Sequence, residues 1–383
     1  MIQKSTSRNT KARVIIFLFL LVVIGGCDDS TEIRISNSSA GPLKLELIVD
    51  EIPVPFGMTF LADSLLLVTD RPSGAVFMVD VNRGIKKRLR GVPSSFANGD
   101  GGALDILAHP DYKKNGWIYF AHSIGDSAKS TLAIKRFQIV GDSVVNVHKL
   151  ATILPYFNKP NHYGTRMALD DGYLYFSMGD RYHLPDSAQS LGNHLGKIMR
   201  IKEDGTVPAD NPFIGVPGAL AEIWSIGHRN PHGLLFHPVT GELWENEHGP
   251  KGGDEVNILQ KGKNYGWPII CYGIDYDGEP IGIGITHQEG LEQPLYHFTP
   301  SIAPGGMDFY TGNEMSEWNG SLFIGALALR HLNRLEIKNG KVVSEERLLE
   351  DLEMRIRNVK QGPDGNLYIA ADGGKILRIV ADK

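Results

Sequence analysis

Apolar and polar positions along this chain alternate in short runs that fold about polar turns, with little helical period. The clearest unit is Glu222 to Glu255, where two apolar runs flank a Val239-Thr240-Gly241 turn and the exit reads Gly-Pro-Lys-Gly-Gly-Asp-Glu. Turn residues between apolar runs predict an antiparallel hairpin. Similar units run from Met58 to Asp70, Leu104 to Ser123, Arg166 to Asp180, Met307 to Ala326 and Asn358 to Gly373. With the central hairpin they make six copies, spaced by roughly 45 to 80 residues. Further strands follow several copies, at Ala75 to Val79, Ile134 to Ile139, Leu332 to Ile337 and Ile376 to Val380. Four strands per unit, repeated six times, predict an all-β fold, a six-bladed β-propeller with four-stranded antiparallel blades. Leu43 to Val49 is expected to add the outer strand that closes the ring against the last blade. A large β-sandwich or β-helix is the competing architecture, and the long, unequal repeats count against it. Helix is expected at one short segment, Ala188 to Leu195, capped by Asp186 or Ser187.

The first 27 residues follow another pattern. Lys4, Arg8, Lys11 and Arg13 precede the apolar run Val14 to Ile24, and Gly25-Gly26-Cys27 follows. The run is too short for a spanning helix and fits a secretory signal. Cysteine after two small residues resembles a bacterial lipobox, which implies lipidation of Cys27 and a periplasm-facing protein anchored by lipid alone. A plain signal peptide cut nearby is the alternative. Residues 28–41, rich in Ser, Asp and Asn, are expected to be a flexible tether, and residues 42–383 the propeller domain. Removing the four basic residues leaves 35 basic against 44 acidic side chains, so the formal charge falls from -5 to -9. That balance argues against nucleic-acid binding. The other cysteine, Cys271, has no partner once Cys27 is acylated and reads as core filler.

Propellers place ligands over the central channel. Reflecting each hairpin through its turn therefore asks which polar residues gather there. His162 reflects onto Asp180, Arg357 onto Asp372, and Arg229 and Asn230 onto Gly249 and Pro250. Taken singly, His162 is an ordinary loop histidine, Arg355 and Arg357 a surface pair, and Asp180 a turn former. Their convergence on one mouth points to chemistry. Asp180 would fix the tautomer of His162 and leave its other nitrogen free as a base, while guanidiniums and turn carbonyls suit an acidic ligand and a hard cation.

From about Gly57 to the C-terminus the chain resembles the soluble pyrroloquinoline-quinone (PQQ) dependent aldose sugar dehydrogenases of the glucose/sorbosone dehydrogenase family. The motifs that carry the resemblance are HYGTRMALDDGYLYFSMGDR, SLGNHLGKIMRIKEDGTVPADNPF, EIWSIGHRNPHGLLF, ENEHGPKGGDEVNIL, NYGWP, PSIAPGGMDFY and RIRNVKQGPDGNLYIAADG. The resemblance implies a propeller with PQQ over its axis, oxidising aldoses at C1 to lactones. His162 matches the family's base for the C1 hydroxyl proton, with hydride passing to the quinone C5 carbonyl carbon, and Asp180 matches the carboxylate that orients it. Arg229, Asn230, Arg355, Arg357 and Asp372 match cofactor-side positions. Gly249 and Pro250 match carbonyls on an active-site Ca2+, and Asp254, Glu255 and Tyr265 lie where some members hold a second calcium. Tyr296 and Phe298 loosely match aromatics near the sugar.

Two departures stand out. Asp100 replaces a glutamine in the family's Gln-Gly-Gly-Leu-Leu segment, placing a carboxylate near the substrate, and Ala328 replaces a lysine, with Arg330 two residues on. Two alternatives therefore stand beside the dehydrogenase: a calcium-dependent lactonase using Asp100 and Asp180 as ligands, and a non-catalytic sugar- or protein-binding propeller. No Cys-x-x-Cys-His motif occurs, so a dehydrogenase would pass electrons to an external acceptor. A monomer or a homodimer fits equally.

Overall fold

The computed structural model describes residues 33–36 and 38–382. Cys27 and the signal segment lie outside the described residues. Six antiparallel sheets follow one another around a ring, each with its first strand innermost. Blade 1 comprises Pro55–Ala62, Leu65–Asp70, Ala75–Asp80 and Ile85–Arg88, and blade 2 Ala103–Ala108, Ile118–Gly125, Ser130–Val140 and Ser143–Thr152. Blade 3 is built from Met167–Asp170, Tyr173–Met178, Lys197–Lys202 and Ile223–Ile226, and blade 4 from Pro231–Phe236, Leu243–Glu247, Asp254–Leu259 and Tyr296–Phe298. Blade 5 contains Pro304–Phe309, Leu322–Ala326, Leu332–Lys338 and Lys341–Leu348. Blade 6 has Ile356–Gln361, Leu367–Ala371 and Lys375–Ala381, and Leu43–Val49 completes it from the other end of the chain.

The chain folds this way because its second strands are sandwiched on both faces. Leu322–Ala326 and Leu367–Ala371 are buried throughout, as their continuous apolar runs require. The outer strands Ser143–Thr152 and Lys341–Leu348 are partly or fully exposed along nearly all their length, as edges are. Apolar clusters fill the wedges between neighbouring blades, such as Phe56, Leu104, Tyr119, Leu174 and Phe176 between blades 1, 2 and 3. The ring closes where Leu43–Val49 pairs with the last strand, with Leu45 opposite Ile379 and Val49 opposite Ile376.

Within the stretch expected to be a tether, Ile33–Ile35 pairs antiparallel with Leu43–Leu45 and adds a fifth strand to blade 6. The short helix also differs from expectation. It is a 3-10 turn at Pro185–Gln189, led by proline and without a side-chain cap. Gly192 and Gly196 interrupt the segment beyond it, and Gly196 has a left-handed backbone. A single-turn α-helix at Tyr112–Asn115 was not foreseen. Among the described residues no helix is long and apolar enough to cross a membrane.

Candidate active site at the propeller axis

Each blade presents the residues just after its second strand, and those just before its first, at one end of the ring. Asp180 follows the second strand of blade 3, and His162 precedes its first. His162 Nδ1 and Asp180 Oδ1 are 2.7 Å apart, as the reflection about the turn predicts. The backbone is bent to make this contact: His162 has φ +48°, Arg181 +64° and Tyr182 +65°. Gly179 is required between them, since a Cβ there would lie 2.5 Å from the His162 carbonyl oxygen.

Asp180 is fully buried and all its bonds come from N–H donors. Oδ1 also accepts the Tyr182 amide at 2.7 Å, and Oδ2 accepts the indole N–H of Trp267 at 2.8 Å. Burial opposes its ionisation, but the His162 hydrogen bond and charge, Arg229 and the Tyr182 amide outweigh it, so the carboxyl sits below its usual range. Burial lowers the pKa of His162 more than Asp180 raises it, with Arg229 lowering it further and Asp100 raising it. With Nδ1 donating to Asp180, Nε2 of a neutral imidazole is left for the cavity.

That cavity, of about 470 Å³, lies over the axis and is bordered by Arg71, Asp100, His162, Asn230, Arg355 and Arg357. Asp100 accepts the His162 amide at 3.1 Å, so the carboxylate that departs from the family pattern touches the base itself. Arg357 grips Asp372 with two bonds, 2.6 and 2.8 Å, and Arg355 Nε reaches the same carboxylate at 3.1 Å. Asp372 therefore holds two guanidiniums in place. Arg71 adds a third cation, its pKa lowered by burial and by Arg357, with Asp100 opposing. Counting Arg229 and Asp180, four guanidiniums stand against three carboxylates, which leaves the mouth cationic. A second cleft of about 650 Å³ adjoins it across Tyr182, walled by Trp267 and the Pro280–Ile283 loop.

Several expectations need correction. The bulge between Pro231 and Gly233 moves the central hairpin's register, with Phe236 opposite Leu243. Arg229 consequently donates to the carbonyls of both His248 (3.0 Å) and Gly249 (2.7 Å). The Gly249 carbonyl thus accepts one guanidinium N–H and keeps a second lone pair, and it borders one small space with Glu247, Glu255 and Tyr265. Asp254 is spent on the amides of Gly249, Ile302 and Ala303 and on Ser301, and does not join Glu255 as a ligand. The Tyr265 hydroxyl donates to the Ile258 carbonyl and accepts the Gln260 amide. Glu255 instead faces Glu245 and Glu247, on one face of the middle strands of blade 4. Ligand atoms of His228, Glu245 and Glu247 lie within 4.8 Å of one another, and Glu245 Oε1 and His228 Nδ1 are buried without a hydrogen-bond partner. Burial and Glu247 push the Glu255 carboxyl up to about 8.

Tyr296 and Phe298 do not reach the site. Their strand is the outermost of blade 4, where the Tyr296 hydroxyl bonds Glu345 at 2.9 Å and Phe298 packs with Trp244 and Val256. Arg330 does not replace the missing lysine, since it is half-exposed and pairs with Glu353 at 3.7 Å. Cys271 is inert, its thiol pushed up to about 11 by burial. Residues the sequence reading missed are Arg71, Tyr182, His232, His248 and Trp267. Arg71 had a signal: it follows the second strand of blade 1, the place that Asp180 takes in blade 3 and Asp372 in blade 6.

A propeller with a His–Asp pair and a cationic mouth over its axis defines a class, and comparison with known proteins gives the family. The glucose/sorbosone dehydrogenase family model matches residues 52–378, and the chain belongs to that family. It is similar to the aldose sugar dehydrogenase YliI of Escherichia coli, at 37% identity over 345 residues, covering 88% of this chain and 92% of the relative. It is 29% identical over 314 residues to quinoprotein glucose dehydrogenase B of Acinetobacter calcoaceticus, covering 74% of this chain and 63% of that protein. A glucose dehydrogenase crystal structure superposes with a TM-score of 0.84 at 38% identity, covering 88% of this chain and 99% of the other.

Proposed function

We propose that this chain is a PQQ-dependent dehydrogenase that oxidises aldoses at the anomeric carbon to lactones. The observation that carries the reading is the His162–Asp180 pair, with Nε2 free, at the wall of a cavity ringed by Arg71, Arg355 and Arg357. His162 Nε2 takes the proton of the C1 hydroxyl, and Asp180 stabilises the imidazolium that forms. PQQ, when bound, supplies the quinone that accepts the two electrons and the C1 hydrogen. Its three carboxylates suit the guanidiniums, of which Arg71 stands in for the absent lysine, and the buried, unpaired Asn230 Oδ1 and Arg229 Nε offer further polar partners. Calcium would be held by the carboxylates of Glu245 and Glu247 beside His228, with Glu255 opposite Glu247; without a cation, burial and mutual repulsion raise the Glu245 and Glu255 pKa values. An external carrier receives the electrons. Cys27 would tether the enzyme by lipid on the periplasmic side of the membrane, and mass spectrometry of the mature N-terminus tests that.

The lactonase reading, with Asp100 and Asp180 as metal ligands, has less support, because three N–H donors already converge on Asp180. The deciding experiment titrates the protein lacking residues 1–27 with PQQ and Ca2+, following quinone absorbance before and after aldose. Bleaching by an aldose is expected, lost in His162→Ala with PQQ binding retained. Failure of PQQ to bind would overturn the proposal.

A further inference from the structure

Asp180 is the acid that governs His162, but nothing in its own loop satisfies its second oxygen. That bond comes from blade 4. Trp267, in the long connection between Asp254–Leu259 and Tyr296–Phe298, places its indole N–H 2.8 Å from Asp180 Oδ2. We propose that Trp267 is a positioning residue for the catalytic pair, fixing through this bond both the direction and the strength with which Asp180 holds the His162 imidazole.

The indole is itself held from several sides. The Trp267 amide donates to the Gly227 carbonyl at 2.9 Å, and its carbonyl accepts Gln189 Nε2 at 2.6 Å. Gln189 and Asn264 exchange two further bonds, 3.1 and 2.7 Å. The turn that carries Gln189 is clamped by Lys197, a fully buried lysine that donates to the carbonyls of Ser187, Ala188 and Leu195 at 2.7, 2.9 and 2.7 Å. The Arg229 guanidinium lies over the indole ring, 5.2 Å from its centroid. Lys197, the 185–189 turn, Gln189, Trp267 and Asp180 thus form one continuous support that ends at the base.

Two consequences follow from electrostatics. A carboxylate oxygen in a fully buried site is left unsatisfied at a cost when its donor is removed, while Oδ1 stays tied to His162 and the Tyr182 amide. The undonated carboxylate also concentrates its charge, which favours the imidazolium and raises the pKa of His162. The charged and titratable groups around His162 are Asp180, Asp100 and Arg229, with Arg71, Arg355, Arg357, His232 and His248 across the cavity and the Tyr182 ring edge-on at 5.1 Å. A change confined to the Trp267 N–H leaves all of them in place.

The test replaces Trp267 with 3-benzothienylalanine, which keeps the bicyclic shape and puts sulfur where the N–H stands. Trp267→Phe and Trp267→His accompany it, the histidine retaining a ring N–H. In the cofactor-free protein, the NMR titration midpoint of His162 is expected to rise by about half to one pH unit in the first two variants, and to return part-way in Trp267→His. In the loaded enzyme, kcat is expected to fall about tenfold with KM for the aldose within about twofold. A midpoint that stays put or falls in the benzothienyl variant would overturn the proposal, and so would a loss of thermal stability without movement of the midpoint, which would leave Trp267 a packing role. The kinetic half rests on the dehydrogenase reading. If the unaltered protein oxidises no aldose, that reading fails, while the titration still decides Trp267.

Discussion

At the residue scale, the site depends on a neutral histidine kept neutral by burial. His162 titrates below its ordinary range, so turnover is expected to be complete at neutral pH and to fall only as pH drops through that lowered pKa. A pH profile of kcat/KM checks this. Asp100 raises the His162 pKa, so Asp100→Asn should move the acid limb to still lower pH, the opposite direction from the Trp267 variants. His162→Ala is expected to reduce kcat by about a hundred- to ten-thousandfold, the range for a removed general base. Arg71→Met should weaken PQQ binding by about tenfold, measured as quinone absorbance against free ligand, because it removes a charge-assisted contact at the mouth. The pairs His162 with Asp180 and Arg357 with Asp372 were legible in the sequence, because each flanks a tight two-stranded turn whose midpoint is visible. Trp267 was not, since its partner Asp180 is 87 residues away on another blade.

Elements decide how far such reasoning by reflection carries. It holds in blade 3, whose hairpin is regular, and in blade 6 despite a bulge after Ile356, and slips in blade 4, where a bulge moves Arg229 against His248 as well as Gly249. Asp254 illustrates a role that spacing cannot assign: it ties the 249–254 turn of blade 4 to the entry of blade 5 through four donors. Asp254→Ala is expected to destabilise the fold by about 3 kcal/mol or more, seen in denaturant unfolding, since several buried donors lose their acceptor. The outer strand of blade 4 likewise turned two aromatics expected at the sugar site into interblade packing.

For the whole molecule, stability rests on closing the ring and on what compensates the buried acids of blade 4. Strand Leu43–Val49 buries Leu43, Leu45, Ile48 and Val49 against blade 6, each contributing about 1.5–3 kcal/mol of apolar burial. A chain beginning at residue 50 should therefore unfold at markedly lower temperature or aggregate. The proposed calcium site predicts that a chelator lowers Tm and that Ca2+ at a hundredfold excess over its Kd returns about 2.7 kcal/mol. Glu247→Gln should blunt that response. What the sequence by itself determined was the six-fold repeat, the closing strand and the local pairs at the mouth, because strand periodicity and tight turns are properties of neighbouring residues. Only the tertiary structure decided that Arg71 joins the mouth, that Glu245, Glu247 and His228 share one buried space, and that Trp267 supports Asp180. Those meetings depend on how neighbouring blades twist and pack around the axis, which no local spacing encodes.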